Sequence, residues 1–193
     1  MDDGIRRLSA ADAEAIASVV NEAATTYDGT IPEDCYSEPY LSVDDLCAEL
    51  ETTEFYGYEM DGDSTDRSGG STDHSETSTD HPEASTGYPG NATTTLAGVV
   101  GFQERDDASL IRRLYVRPEF HGERIGSRLL QFALGRVSTD PILVGTWRDA
   151  ERAVAFYETN GFTNLGTDRE LLRTYWDHSE RRNGESVVLR YDQ

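Results

Sequence analysis

The sequence predicts an α/β domain, a mixed β-sheet flanked by helices in the order β-α-α-β-β-β-α-β-α-β-β. Three observations carry this. Short β-branched or aromatic runs recur along the chain, each ended by Gly, Pro or polar residues. Between several of them, apolar residues repeat at i, i+3, i+4 and i+7, the stripe of a helix packed on one side. In one stretch, residues 110–137, the two patterns meet across a glycine-bearing turn.

Taken in order, residues 5–8 start a strand. Ser9 with Asp12 reads as a capping box, with Asp in place of the usual Glu or Gln. It opens a helix that puts Ile16, Val19, Val20 and Ala23 on one stripe. Ser42 and Asp45 repeat the signal ahead of Val43, Leu46, Cys47 and Leu50, so Cys47 is expected on a buried face. Residues 54–60 are aromatic and alternating, hence strand-like. Residues 61–93 are Ser, Thr, Asp and Gly, with Ser71-Thr72-Asp73-His74 echoed by Ser78-Thr79-Asp80-His81. So little apolar surface cannot offset the entropy of ordering. This segment is expected to be a disordered acidic insertion in a β-hairpin of one domain spanning 1–193. Its histidines sit beside aspartates, but nothing there fixes ligand geometry, and no metal site is expected.

Strand character resumes over 94–104 and 110–116, where Pro118 stops it. Residues 141–146 read as a buried strand. Asp149 then caps a helix whose face is Ala150, Ala153, Val154 and Tyr157, and Gly161 suits its left-handed stop. A short strand at 162–165, an extra helix over 168–176 and a last strand at 186–191 complete the chain.

Composition bounds the function. The chain carries 37 acidic and 17 basic residues, net −20, and every basic residue is Arg. Such a surface repels phosphate backbones and anionic membranes, so neither nucleic acid nor membrane is an expected partner. It also repels itself unless salt screens it, a composition that resembles proteins of salt-in halophiles. Two cysteines, Cys35 and Cys47, form no metal-type pair and fit a reducing cytoplasm. No apolar run approaches the ~20 residues of a membrane span.

Residues 110–137 carry the chemistry. An apolar strand with Leu114, Tyr115 and Val116 gives way to a turn in which Gly122 and Gly126 bracket Glu123-Arg124-Ile125. Ile125, Leu129, Phe132 and Ala133 then form a helical stripe. A helix start reached through glycines offers unpaired N–H groups and a favourable dipole to an anion such as a phosphate. Glycine at such a junction can equally serve packing alone.

Two segments together resemble one family, the GNAT N-acetyltransferases. His121-Gly122-Glu123-Arg124-Ile125-Gly126 is similar to their acyl-CoA pyrophosphate loop, Q/R-x-x-G-x-G/A, and Ala153–Phe162 is similar to their second signature, A-x-x-F-Y-E-x-x-G-F. Three positions depart from the pattern. His121 stands where Gln or Arg is usual, Arg124 replaces the first motif glycine, and Ala150 replaces an Asn often found ahead of the second signature. The resemblance implies acetyl transfer from acetyl-CoA, as co-substrate, to an amine of a small molecule or a peptide; a homodimer is compatible with it.

Gly122 to Ser127 would supply N–H donors to the pyrophosphate, with Arg117, Arg124 and Arg128 as nearby cations. The edge of Leu114, Tyr115 and Val116 would pair with the pantetheine arm, and Tyr157 matches the family's general acid. A core tyrosine is the plainer reading of Tyr157. No base stands out: Glu54, Glu59 and Glu104 lie on or near neighbouring strands in a chain full of acids. Tyr27, Tyr36, Tyr40, Trp147, Tyr175 and Trp176 are candidates to line an acceptor pocket. The alternative reading is a non-catalytic acyl-CoA-binding module. A nucleotide-binding regulator is disfavoured by the absence of a Walker lysine.

Overall fold

The computed structural model describes residues 4–27, 29–61, 94–176 and 178–192. The expected insertion and its two His-Asp pairs therefore lie outside the described residues, apart from Asp61. Seven strands form one sheet: β1 (Ile5–Leu8), β2 (Glu54–Asp61), β3 (Thr94–Glu104), β4 (Ser109–Val116), β5 (Ile142–Trp147), β6 (Thr163–Asn164) and β7 (Ser186–Tyr191). Their spatial order is β1-β2-β3-β4-β5-β7-β6. All neighbours are antiparallel except β4 and β5, which makes the sheet mixed.

Alternation along the strands splits the core into two layers. Val100, Ile111, Val144 and Leu189 face α3 (Ile125–Leu134) and α4 (Glu151–Thr159). Val99 and Phe55 face α1 (Ala13–Ala24) and α2 (Val43–Leu50), while Leu110, Leu143 and Val188 pack on α5 (Arg169–Tyr175). The remaining helix, α6 (Glu180–Gly184), precedes β7 and has no counterpart in the sequence reading. The extra helix over 168–176 is α5, with Asp168 accepting the N–H groups of Glu170 and Leu171.

Local signals explain most helix ends. Ser9 N–H donates to Asp12 Oδ2 at 2.8 Å, and a 3₁₀ turn leads into α1, whose Ile16, Val19 and Val20 are fully buried. Ser42 caps α2 by accepting Asp45 N–H. Two expectations fail. Cys47 is exposed, because α2 has only two turns and buries Leu46 rather than a full stripe. The N-cap of α4 is Ala150 and not Asp149, whose carboxylate instead lies 3.7 Å from Arg148.

Two irregularities in the sheet create the site. The β4–β5 ladder ends at Ile111↔Val144, although β4 runs on to Val116 and β5 to Trp147. Beyond that pair the two parallel strands have no ladder between them. On its other side, β4 is bulged: Gly101 faces Arg113 and Phe102 faces Ile111, leaving Arg112 as the extra residue. A bulge of this kind re-aims side chains.

Candidate active site at the split sheet

A cleft of about 600 Å³ opens on the α3–α4 side of the split. One end is the start of α3. Gly122, at φ 97°, turns the chain, and Arg124 takes the left-handed conformation at φ 61° as the N-cap. A left-handed residue is what a glycine supplies without cost, which accounts for glycine at the Arg124 position of the resembling motif. The first α3 N–H with an acceptor belongs to Arg128, bonded to Arg124 O at 3.0 Å. Those of Ile125, Gly126 and Ser127 belong to the open first turn. Each of the other five α-helices carries an acid in its first turn; α3 carries none. The α3 dipole is thus met by no carboxylate within its own first turn, the nearest acid in sequence being the exposed Glu123 ahead of the N-cap. A Cβ on Gly126 would meet Phe156 at 3.6 Å and Val116 at 3.7 Å, ordinary contacts. Packing therefore does not demand glycine there, and the space faces the cleft.

The free edge of β4 forms the wall. Arg117 N–H donates to Ala97 O at 2.9 Å. Antiparallel alternation then turns the Tyr115 amide and carbonyl toward β3, and those of Leu114 and Val116 toward the cleft. Val116 O is already met by His121 Nε2 at 3.0 Å. His121 thus lines the cleft while its ring tethers the loop to the strand.

Tyr157 lies at the far wall, near the end of α4. Gly161 N–H bonds Glu158 O and Phe162 N–H bonds Tyr157 O, both at 3.1 Å. With Gly161 at φ 92°, this is the left-handed stop expected from the sequence. It also seats Phe162 against Tyr157, ring centroids 5.4 Å apart. Burial, with Tyr27 nearby, pushes the Tyr157 phenol well above its ordinary value, so it stays protonated at neutral pH.

A second cavity, of about 560 Å³, lies against α2, α5 and α6. Tyr27, Arg112, Tyr115, Gly145 and Thr146 line both, so the two meet at the split. Trp147 Nε1–H donates to Tyr40 Oη at 3.1 Å, and Tyr40 stacks edge-on against Tyr115. Gly145 allows Trp176 to lie against β5: a Cβ there would meet the indole at 3.1 Å.

Of the expected site residues, the structure gathers Leu114, Tyr115, Val116, His121, Gly122, Arg124, Ile125, Gly126, Ser127 and Tyr157 around the first cleft. Glu123 is exposed and does not line it. The expected cation cluster is corrected. Arg117 is drawn to the α1 side by Glu22, Ser18 and Leu96 O, and Arg128 donates to Tyr58 Oη at 2.6 Å; neither lines the cleft. Arg152 lines it instead. Of the aromatic candidates, Tyr27, Tyr40, Trp147 and Trp176 line the second cavity, while Tyr36 and Tyr175 pack behind Tyr40 and Trp176. Glu54 lies beside Arg7, Glu59 bonds Arg6, and Glu104 accepts from Ser138; none lines either cavity. The sequence reading missed Arg112. Its signal was two adjacent arginines interrupting an apolar strand.

Comparison with known proteins agrees with this geometry. Residues 91–164 match the model of the acetyltransferase (GNAT) domain, spanning the β3–β4 hairpin, the α3 loop and α4. PaiA N-acetyltransferase from Thermoplasma acidophilum, solved with coenzyme A, superposes with a TM-score of 0.61 at 21% identity, covering 98% of each chain. The fold is that of the GNAT acetyltransferases. A GNAT acetyltransferase from Staphylococcus aureus Mu50 gives 0.59 at 14% identity over 96% of each chain. The ribosomal-protein-S18-alanine N-acetyltransferase of Escherichia coli gives 0.56 at 12%, over 96% of this chain and 90% of that one. No curated protein sequence matches the chain. Among the described residues, no helix is long and apolar enough to cross a membrane.

Proposed function

We propose that the protein is an acetyl-CoA-dependent N-acetyltransferase acting on a primary amine. The observation that carries this is continuity: one cleft joins a helix start with no acid in its first turn, a free strand edge and a protonated tyrosine. The GNAT fold and the coenzyme A complex of its structural relative support the same reading.

Ile125, Gly126 and Ser127 N–H groups would hold the pyrophosphate, with Arg124 and Arg152 as local cations. Leu114 and the amide of Val116 would hydrogen-bond the pantetheine arm along the β4 edge. Such an arm would bring the thioester to the split, where the second cavity opens. The amine nitrogen attacks the thioester carbonyl carbon, the C–N bond forms, and the C–S bond breaks. Tyr157 gives its proton to the departing sulfur, and the proton lost by the amine passes to water. Strand N–H groups at the split can stabilise the oxyanion.

Two measurements on one preparation test this. Saturating acetyl-CoA is expected to raise the melting temperature, since a ligand that favours the native state stabilises it. Thiol release from acetyl-CoA is expected to require added amine. A melting shift with no amine-dependent release would leave only the alternative of an acyl-CoA-binding module; no shift at all would remove both.

A further inference from the structure

The second cavity departs from the charge of the rest of the molecule. In this acidic chain many described arginines meet a carboxylate: Arg6 meets Asp12 and Glu59, Arg117 meets Glu22, Arg148 meets Glu185, and Arg173 meets Glu180. Arg112 and Arg182 both line the cavity, and neither has an ion-pair partner among the described residues. Arg112 donates Nε and Nη2 to Gln103 Oε1, at 3.1 and 2.7 Å, and lies 5.6 Å from the Trp176 ring centre. Arg182 lies 4.9 Å from that of Trp147.

The acids at this cavity are already engaged. Glu49 pairs with Arg113 at 3.0 Å and acts on Arg112 only from a distance; Asp45 accepts from Ser42 at 2.6 Å. Burial lowers the Arg112 guanidinium to about 10, with Glu49 acting the other way, so it remains charged at neutral pH although no carboxylate of the described residues pairs with it directly. The β4 bulge is what places it there, beside Arg113, at a cavity that opens on the split. A desolvated guanidinium with one edge uncommitted is a fork for a carboxylate.

The geometry points to an acceptor with an anion at one end: a primary amine that carries a carboxylate, held by Arg112 with Arg182 as a second cation, its amino group reaching the β4–β5 split. Tyr27, Tyr40, Trp147 and Trp176 give the remainder of such a molecule flat aromatic walls. The word acceptor rests on the proposed acetyl transfer; the anion site does not.

The test compares amines that differ only in the carboxylate: phenylalanine with phenethylamine, and leucine with 3-methylbutylamine, with spermidine as a polycation. Thiol release from acetyl-CoA is expected to show kcat/KM at least roughly tenfold higher for the carboxylated member of a pair. Arg112→Gln is expected to raise KM for that member by roughly 10- to 100-fold and leave the partner amine almost unchanged, with Arg112→Lys restoring part of the loss. The acetyl-CoA melting shift of each variant shows that the fold and first cleft are intact. Should Arg112→Gln not fold, Arg182→Gln is read the same way, with a smaller expected rise in KM. Equal or better turnover of the carboxylate-free amines, or of spermidine, overturns the proposal. Should no amine release thiol, the transfer reading falls. Calorimetric titration of the same pairs into the coenzyme A-loaded protein then decides the anion site. Carboxylate-dependent binding weakened by Arg112→Gln upholds it, and its absence overturns it.

Discussion

The two cavities that meet at the split are built from different materials. The first is largely backbone: N–H groups at the start of α3, the unpaired edge of β4 and the tight turn at Gly122. Its largest single share comes from one run of chain, β4 through the start of α3, with β5, α4 and the end of α1 closing the other sides. The second is side chain: arginines from β4 and α6, aromatics from β5 and from segments around α2 and α5, and carboxylates of α2. Backbone donors recognise an anion of fixed chemistry and depend little on residue identity, provided glycines leave room. Side-chain walls change with each substitution and therefore suit a ligand that differs from one protein to another. On the proposed function, the contrast would give cofactor binding to the first cavity and acceptor selectivity to the second.

If that division holds, its largest signature lies where the two meet. Tyr157→Phe keeps the ring packed against Phe162 and Phe156 and removes only the hydroxyl. Turnover is expected to fall by roughly 10²- to 10⁴-fold with the acetyl-CoA melting shift unchanged. Near-normal turnover, with an altered melting temperature instead, would make Tyr157 a core residue.

Next in size is Gly126→Asp. The protein accommodates a Cβ there, so the fold should survive, but a carboxylate would face the pyrophosphate at the start of α3. The acetyl-CoA melting shift is expected to disappear, while binding in the second cavity persists. A variant that still responds to acetyl-CoA would place the anion site elsewhere.

The smallest effect is reserved for the second cavity's own scaffold. Glu49→Gln leaves Arg113 without its carboxylate in a pair whose side chains are both under a fifth exposed. A loss of about 1–3 kcal/mol is expected, from the charge left unpaired. In a domain of this size that is a fall of a few degrees in melting temperature. The acetyl-CoA shift should be unaffected; its loss would show that the cavities are not separable.

The sequence determined whatever depends on neighbours along the chain. The capping box at Ser9 and Asp12, the stripe of α1, the stop at Gly161 and the strand-turn-helix of residues 110–137 are local, and each was legible. Residues i to i+4 on a helix, or alternate residues on a strand, have their geometry fixed by the backbone period. Short α2 gave a weaker period, and Cys47 was misplaced. Tertiary structure alone decided which edges meet. The end of the β4–β5 ladder at Val144, the register that makes Arg112 a bulge, and the tie of Arg117 to Glu22 join residues 9 to 95 positions apart on different elements. Such contacts follow from how the two sheet faces and the helices pack together, and no period in the sequence records them. For that reason the backbone-built cleft could be read from the chain, while of the cavity beside it only the aromatic candidates Tyr27, Tyr40, Trp147 and Trp176 could, and its arginines could not.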